Sequence, residues 1–269
     1  MATNYQDIRI AHGETGLAVR LHAGNGPRVV LIHGIGSSGS GWDNIIPQLA
    51  EHFSPVTLDL RGHGSSDKPE TGYLYDDYIG DLEVLFGALG IDRPLVIGHS
   101  LGGLIALWWA AKHPDTAAAL VIEDSPLRSG EEYRPAFDGW LQLNALTEDQ
   151  VYAYYAGEHP DWPDDLLRLR ARQITSTRRE VFSELYADSL AHEGVDRIAE
   201  ITGVQSPVLL VHGDIDAGGM VHEEDATSLR DRLPRVELAH VAGANHRIHA
   251  ERPDAFLAAV IPFLQKHAG

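Results

Sequence analysis

The sequence predicts an α/β fold: a mostly parallel sheet with helices on both faces, interrupted by one helical insertion. Three observations lead there. Short apolar runs alternate with helical patterns over the first half of the chain, the alternation stops between residues 126 and 201, and it then resumes. Length is compatible with one large domain carrying an insertion, since 269 residues exceed an average domain and fall short of two.

The elements follow in order. Residues 7–11 and 17–23 form a hairpin around Gly13 and Gly16. The runs 28–33, 56–60, 94–98 and 118–123 are almost continuously apolar, as strands buried on both faces should be. Helices begin near Asp43, Tyr75 and Leu101, and the third stops at His113 because Pro114 cannot continue it. From 126 to 201 no strand pattern occurs, and Trp140, Leu143, Val151, Tyr155, Phe182 and Leu185 fall at helical spacing. A strand at 207–212, a helix at 223–233, a strand at 236–241 and a helix at 253–267 complete the alternation. The expected organisation is a core of residues 1–125 and 202–269, with a helical cap of residues 126–201 inserted after the sixth strand.

Composition removes several classes of function. The hydrophobic fraction of 43% and charged fraction of 22% are those of a folded globular chain. With 21 basic against 39 acidic residues, the formal charge of -18 repels a phosphate backbone, so neither nucleic acid nor an anionic membrane is an expected partner. Cysteine is absent, which excludes thiolate nucleophiles, disulfides and cysteine-based zinc sites. The longest strictly apolar run, 104–111, is far below the roughly 18 residues of a membrane span. Asp7, Arg9, Glu14 and Arg20 interrupt any signal-like apolar stretch near the start, so a cytoplasmic location is expected.

Two motifs carry chemistry. Gly34, Gly36 and Gly39 spell G-x-G-x-x-G after a strand, with Asp59 twenty residues beyond, which matches a dinucleotide fingerprint in letters. That fingerprint needs a helix opening within the glycines, whereas helix character here waits until Trp42 and Asp43. The segment is better read as a loop lending backbone N–H groups to an oxyanion. No cofactor is expected. The second motif, Gly98, Ser100 and Gly102 in G-x-S-x-G, lies between an apolar strand and a helix, where a nucleophile elbow lifts a serine on a sharp turn. The N–H of Leu101, at the helix N-terminus, would point at charge developing on a tetrahedral intermediate.

Four stretches taken together resemble the α/β-hydrolase fold superfamily over nearly the whole chain: His33 to Gly36, the Asp59-Leu-Arg-Gly62-His-Gly64 string running to Asp67, Gly98 to Gly103, and Gly243 to His246 before the last helix. The resemblance implies an eight-stranded sheet, a cap after strand six, and a second oxyanion N–H at Ile35. A serine hydroxyl needs a general base, and histidine has the suitable pKa. Among fifteen histidines the family pattern selects His246. His240 and His249 lie close by, yet no carboxylate pattern accompanies them, so no metal is expected. His99 shapes the pocket, and His33 and His63 fix loops.

Two acids compete to orient His246. The usual family position, after strand seven, is Asp216. Glu123-Asp124-x-Pro126-Leu127, together with Asp214 and the Gly218-Gly219 pair, resembles members that carry the acid after strand six, and this favours Asp124 with Asp216 as the alternative. His99, Trp140 and Tyr155 are the expected substrate contacts, while the arginines of 168–179 could recognise an anionic substrate group but are expected to form a solvated helix face. The expected activity is hydrolysis of a small carboxylic ester or lactone through an acyl-enzyme. Carbon–carbon bond hydrolysis or perhydrolysis on the same triad, and a receptor-like binding protein with little turnover, are the alternatives. Serine at the elbow, where haloalkane dehalogenases and epoxide hydrolases carry aspartate, disfavours those two activities.

Overall fold

The structure, a computed structural model, describes residues 4–269. Its strands are β1 (Tyr5–His12), β2 (Thr15–His22), β3 (Arg28–Ile32), β4 (Ser54–Leu58), β5 (Leu95–His99), β6 (Ala119–Glu123), β7 (Val208–His212) and β8 (Val236–His240). They form one eight-stranded sheet in the order β1-β2-β4-β3-β5-β6-β7-β8. β1 and β2 pair antiparallel, as do β2 and β4, and every later pairing is parallel.

Side-chain alternation along the strands divides the core in two. Val30, Ile32, Val96 and Ile122 face α2 (Tyr75–Leu89) and α3 (Leu101–Lys112). Val29, Leu31, Ile97 and Val121 face the other way, against α1 (Ile46–Ala50) and the C-terminal helix Pro253–His267. Helix α3 is buried almost all round, because it has the sheet beneath it and the insertion above.

The insertion between β6 and β7 contains α4 (Arg134–Asn144), α5 (Glu148–Glu158), α6 (Asp164–Ser176), α7 (Arg179–Ala191) and the short α8 (Arg197–Glu200). No strand lies within it. Thr147 opens α5 with a capping box, its hydroxyl accepting the Gln150 N–H at 3.3 Å. The insertion sits over loops leaving the carboxyl ends of the strands: the Arg178 N–H donates to the Gly62 carbonyl at 2.7 Å, and the Gln173 amide donates to the Ser38 hydroxyl at 2.9 Å. After β7 come α9 (Glu223–Arg232), β8, α10 (Ile248–Glu251) and α11, the helix Pro253–His267. Among the described residues, no helix is long and apolar enough to cross a membrane.

Two local expectations shift. The helix expected near Asp43 is a 3₁₀ turn at Gly39–Trp42, and α1 waits until Ile46, where Pro47 suits a first turn that has no use for its missing N–H. The strand expected at 56–60 ends at Leu58. Asp59 leaves it because its carboxylate turns to accept the N–H groups of Gly39 and Ser65, each at 2.7 Å.

The loop after β4 is anchored by Arg61, which donates from Nε and Nη2 to both oxygens of fully buried Asp81 on α2, each at 2.6 Å. Such a pair is hard to break from one side, since Arg61 would keep only the longer contact to Asp77, at 3.6 Å, and one carbonyl, that of Gly72. Asp81→Ala is expected to lower unfolding free energy by about 3–5 kcal/mol, measured by urea denaturation. A loss below 1 kcal/mol would mean that water reaches Arg61.

Candidate active site

Ser100 stands between β5 and α3 with φ 52° and ψ -118°, a backbone conformation that a side-chain-bearing residue adopts only under constraint. The constraint is close packing. A Cβ on Gly98 would lie 2.5 Å from the Gly102 carbonyl oxygen, and one on Gly102 would lie 2.2 Å from that of Ile32. The serine N–H is held by the Glu123 carbonyl at 2.9 Å, and its own carbonyl accepts from Gly103 and Leu104 as α3 begins. The elbow thus fixes the hydroxyl at the carboxyl edge of the sheet.

At the end of the neighbouring strand, β6, two carboxylates follow one another and both are fully buried. Successive side chains point to opposite faces of a strand, so they reach different partners. Asp124, itself at φ 43°, accepts from His246 Nδ1 at 2.7 Å and from the Met220 N–H at 2.8 Å. Glu123 accepts from the His249 N–H at 2.8 Å and from His249 Nδ1 at 2.8 Å. The His249 ring also packs on Trp42, centroid to centroid at 4.2 Å. One short segment, 246–249, is therefore held twice.

Asp216 lies elsewhere, exposed on a 3₁₀ turn at Ile215–Ala217. The loop closes on itself: Gly218 takes φ 100°, and the Gly219 N–H returns to the Asp214 carbonyl at 2.9 Å. That path brings a backbone donor, Met220, to Asp124 in place of a carboxylate to His246. His240 pairs with Asp214, so His240 and His249 turn to separate acids.

The Gly34–Gly39 loop is braced by two neutral histidines. His33 donates from Nδ1 to the Gly34 carbonyl at 2.8 Å and accepts the Leu60 N–H at Nε2 at 3.0 Å. His63 donates from Nδ1 to the Arg61 carbonyl at 3.0 Å and accepts the Gly36 N–H at 3.2 Å. Each ring uses one nitrogen as donor and the other as acceptor, which only the neutral form can do. Between these bonds lies Ile35, on the wall of both hollows that meet at Ser100.

The first hollow, about 70 Å³, has Ser100 and His246 on its wall together with His99, Trp140, Arg170 and Arg247. The second, about 60 Å³, runs from Ser100 past Leu101, Leu104, Phe137 and Leu185 under the cap. Trp140 borders both. His99 donates from Nε2 to the His246 carbonyl at 2.8 Å; burial, reinforced by repulsion from His246 and His249, pushes its pKa well below the usual value and keeps it neutral. Tyr155, expected as a substrate contact, is instead buried among cap aromatics, near His159 and Trp162, and borders neither hollow. The 168–179 arginines also divide: Arg168 is exposed and paired with Asp164, whereas Arg170 turns into the cavity. Sequence reasoning did not single out Arg170 within the 168–179 stretch, and it missed Arg247 and the Glu123–His249 pair. The last had a visible signal, two acids ending an otherwise apolar strand.

This sheet, with its strand–serine–helix elbow and inserted helices, defines an α/β hydrolase. The family model described as alpha/beta hydrolase fold matches residues 27–253, and the chain belongs to that family. It is 31% identical to the 2-(acetamidomethylene)succinate hydrolase of Mesorhizobium japonicum over 95% of this chain and 94% of that one. It is 29% identical to the N-formylmaleamate deformylase of Pseudomonas putida over 90% of each, and 34% identical to a soluble epoxide hydrolase of a Corynebacterium species over 87% of this chain and 80% of the relative. The crystal structure of E-2-(acetamidomethylene)succinate hydrolase superposes with a TM-score of 0.83 at 28% identity, covering 97% of this chain and all of that one.

The two bracing histidines make stability depend on pH. Burial lowers the pKa of His33 from 6.5 to about 4 and that of His63 to about 3. The unfolded chain takes up these protons first, so stability is complete above about pH 6.5 and falls as pH drops through 4 towards 3. Urea unfolding across this range should show that loss, with a flatter dependence in His63→Gln. An equal slope in the variant would disconnect the ring from the effect.

Proposed function

We propose that the protein is a serine hydrolase that cleaves a carboxylic ester or lactone through an acyl-enzyme on Ser100. The observation that carries this reading is the strained elbow serine sharing a cavity with His246, whose far nitrogen is held at 2.7 Å by buried Asp124. In this mechanism Ser100 Oγ attacks the acyl carbon while His246 Nε2 takes its proton. Asp124 keeps Nδ1 protonated and balances the imidazolium charge. The N–H groups of Ile35 and Leu101 receive the oxyanion, and His246 then gives its proton to the departing oxygen. Water, activated by the same imidazole, attacks the ester carbon; collapse restores Ser100 and frees the acid. Asp216 takes no part.

A second reading, hydrolysis of an amide, is favoured by the relatives whose names denote cleavage of such bonds, at 31% and 29% identity. The same residues serve it, with greater demand on His246 to protonate a nitrogen leaving group. The likeness to an epoxide hydrolase carries less weight. Its reaction in this fold uses an aspartate nucleophile, and the elbow here holds Ser100.

A matched nitrophenyl ester and nitroanilide, assayed side by side, separate ester from amide activity. Ser100→Ala is expected to lower kcat/KM by at least about a thousandfold with its fold intact. Asp124→Asn should cost about a thousandfold or more, because an amide permits the wrong imidazole tautomer. Asp216→Asn should stay within about twofold of the parent, as expected of an exposed loop acid. A strong loss in Asp216→Asn with Asp124→Asn unaffected would reverse the assignment of the acid.

A further inference from the structure

The cavity at Ser100 has a charge pattern that the hydrolytic mechanism does not use. In a chain with 39 acidic and 21 basic residues, its described wall contains two guanidinium groups, Arg170 and Arg247, and no carboxylate. Arg170 comes from cap helix α6 and Arg247 from the loop segment that carries His246, so two separate elements place positive charge beside the nucleophile. Every other guanidinium that is drawn towards the interior has a counter-charge: Arg61 has Asp81, and Arg197 lies against Asp188 and Glu200. These two have none at ion-pair distance among the described residues.

The polar contacts they do make leave capacity unused. Arg170 donates from Nη1 to the Gln173 side chain at 2.8 Å, while its Nε is buried without a partner. The acids nearest Arg247 are already engaged, Glu123 with His249 and Glu251 with Asn245. Loss of hydration weakens the hold of both groups on their protons, and for Arg247 repulsion from Arg170 adds to it. Tyr155, beside Arg170, offers it a phenol oxygen as a hydrogen-bond partner and no counter-ion. The neighbouring rings His33 and His99 are held neutral by burial and add no further positive charge.

We propose that Arg170 and Arg247 form a carboxylate subsite, and that the substrate cleaved at Ser100 is an anion carrying a carboxylate away from the scissile bond. An incoming carboxylate would accept from the free N–H groups of both arginines, relieving their mutual repulsion and supplying the missing counter-charge. The second hollow, with Leu104, Phe137 and Leu185, takes the uncharged part of the same molecule. The inference deepens the hydrolase reading and rests on it for the reacting bond, though not for the anion.

Two probe pairs test it, one with the charge in the acyl part and one with the charge in the leaving group: 4-nitrophenyl hemisuccinate against its methyl ester, and 4-acetoxybenzoate against its methyl ester. In at least one pair the anion should be preferred in kcat/KM by about tenfold or more, the range of charge-assisted hydrogen bonds. Arg170→Gln should remove most of that ratio and Arg170→Lys should keep part of it, with the melting temperature confirming that both variants fold. Independently, succinate should bind Ser100→Ala and bind at least about tenfold more weakly when Arg170→Gln is added, read by calorimetry. Succinate binding of this kind without turnover of any ester or anilide would remove the hydrolase reading and leave the subsite standing. No preference in either pair, or a ratio and succinate affinity unchanged by Arg170→Gln, overturns the subsite.

Discussion

Everything at the carboxyl edge of the sheet depends on how the end of β6 disposes of two buried negative charges. Glu123 and Asp124 have no exposure to solvent, and an unpaired carboxylate in such a place would be severely destabilising. Strand geometry sends them to opposite sides, and each finds a histidine from the same stretch of chain, His249 and His246. The result is a loop held at two points three residues apart. Because Glu123 also gives its carbonyl to the Ser100 N–H, the strand that holds the histidines also holds the serine turn. The positions of Asp124, His246 and Ser100 are thus coupled through one strand end.

A second set of bonds holds the opposite wall. His33 and His63 tie the glycine loop to the turn after β4, and Arg61 ties that turn to Asp81 in α2. The same turn receives the cap, through the bond from Arg178 to Gly62. Loop, cap and sheet therefore share anchors. The bracing rings His33 and His63 are enclosed and held neutral by burial. His246, by contrast, keeps partial access to the cavity whose wall it shares with Ser100.

Much of this architecture was legible in the residues. Continuous apolar runs located the strands to within about two residues, Pro114 ended α3 where expected, and the change to helical spacing after Pro126 marked the insertion. These features were readable because they are local: backbone preferences and side-chain periodicity act over one turn or one strand. Ser100 was legible for a related reason. Its neighbours must be glycines for the turn to close, so steric demand is written into adjacent letters.

The rest required the chain to be folded. Two aspartates, Asp124 and Asp216, stood at plausible strand ends, and the difference between them is a loop path: the turn at Gly218 and Gly219 brings Met220 to Asp124 and leaves Asp216 in solvent. Tyr155 and Arg170 sit fifteen positions apart in a cap with many aromatic and basic residues, and sequence spacing has no means of telling which side of that cap meets the sheet. Arg247 follows His246 directly, yet only the closure of three distant segments makes its charge part of the cavity. By itself the sequence determined the sheet, the elbow and the insertion, since each is specified by neighbours along the chain. The tertiary structure alone decided which charges face one another, because electrostatic partnership depends on distance through space and on the water that folding excludes.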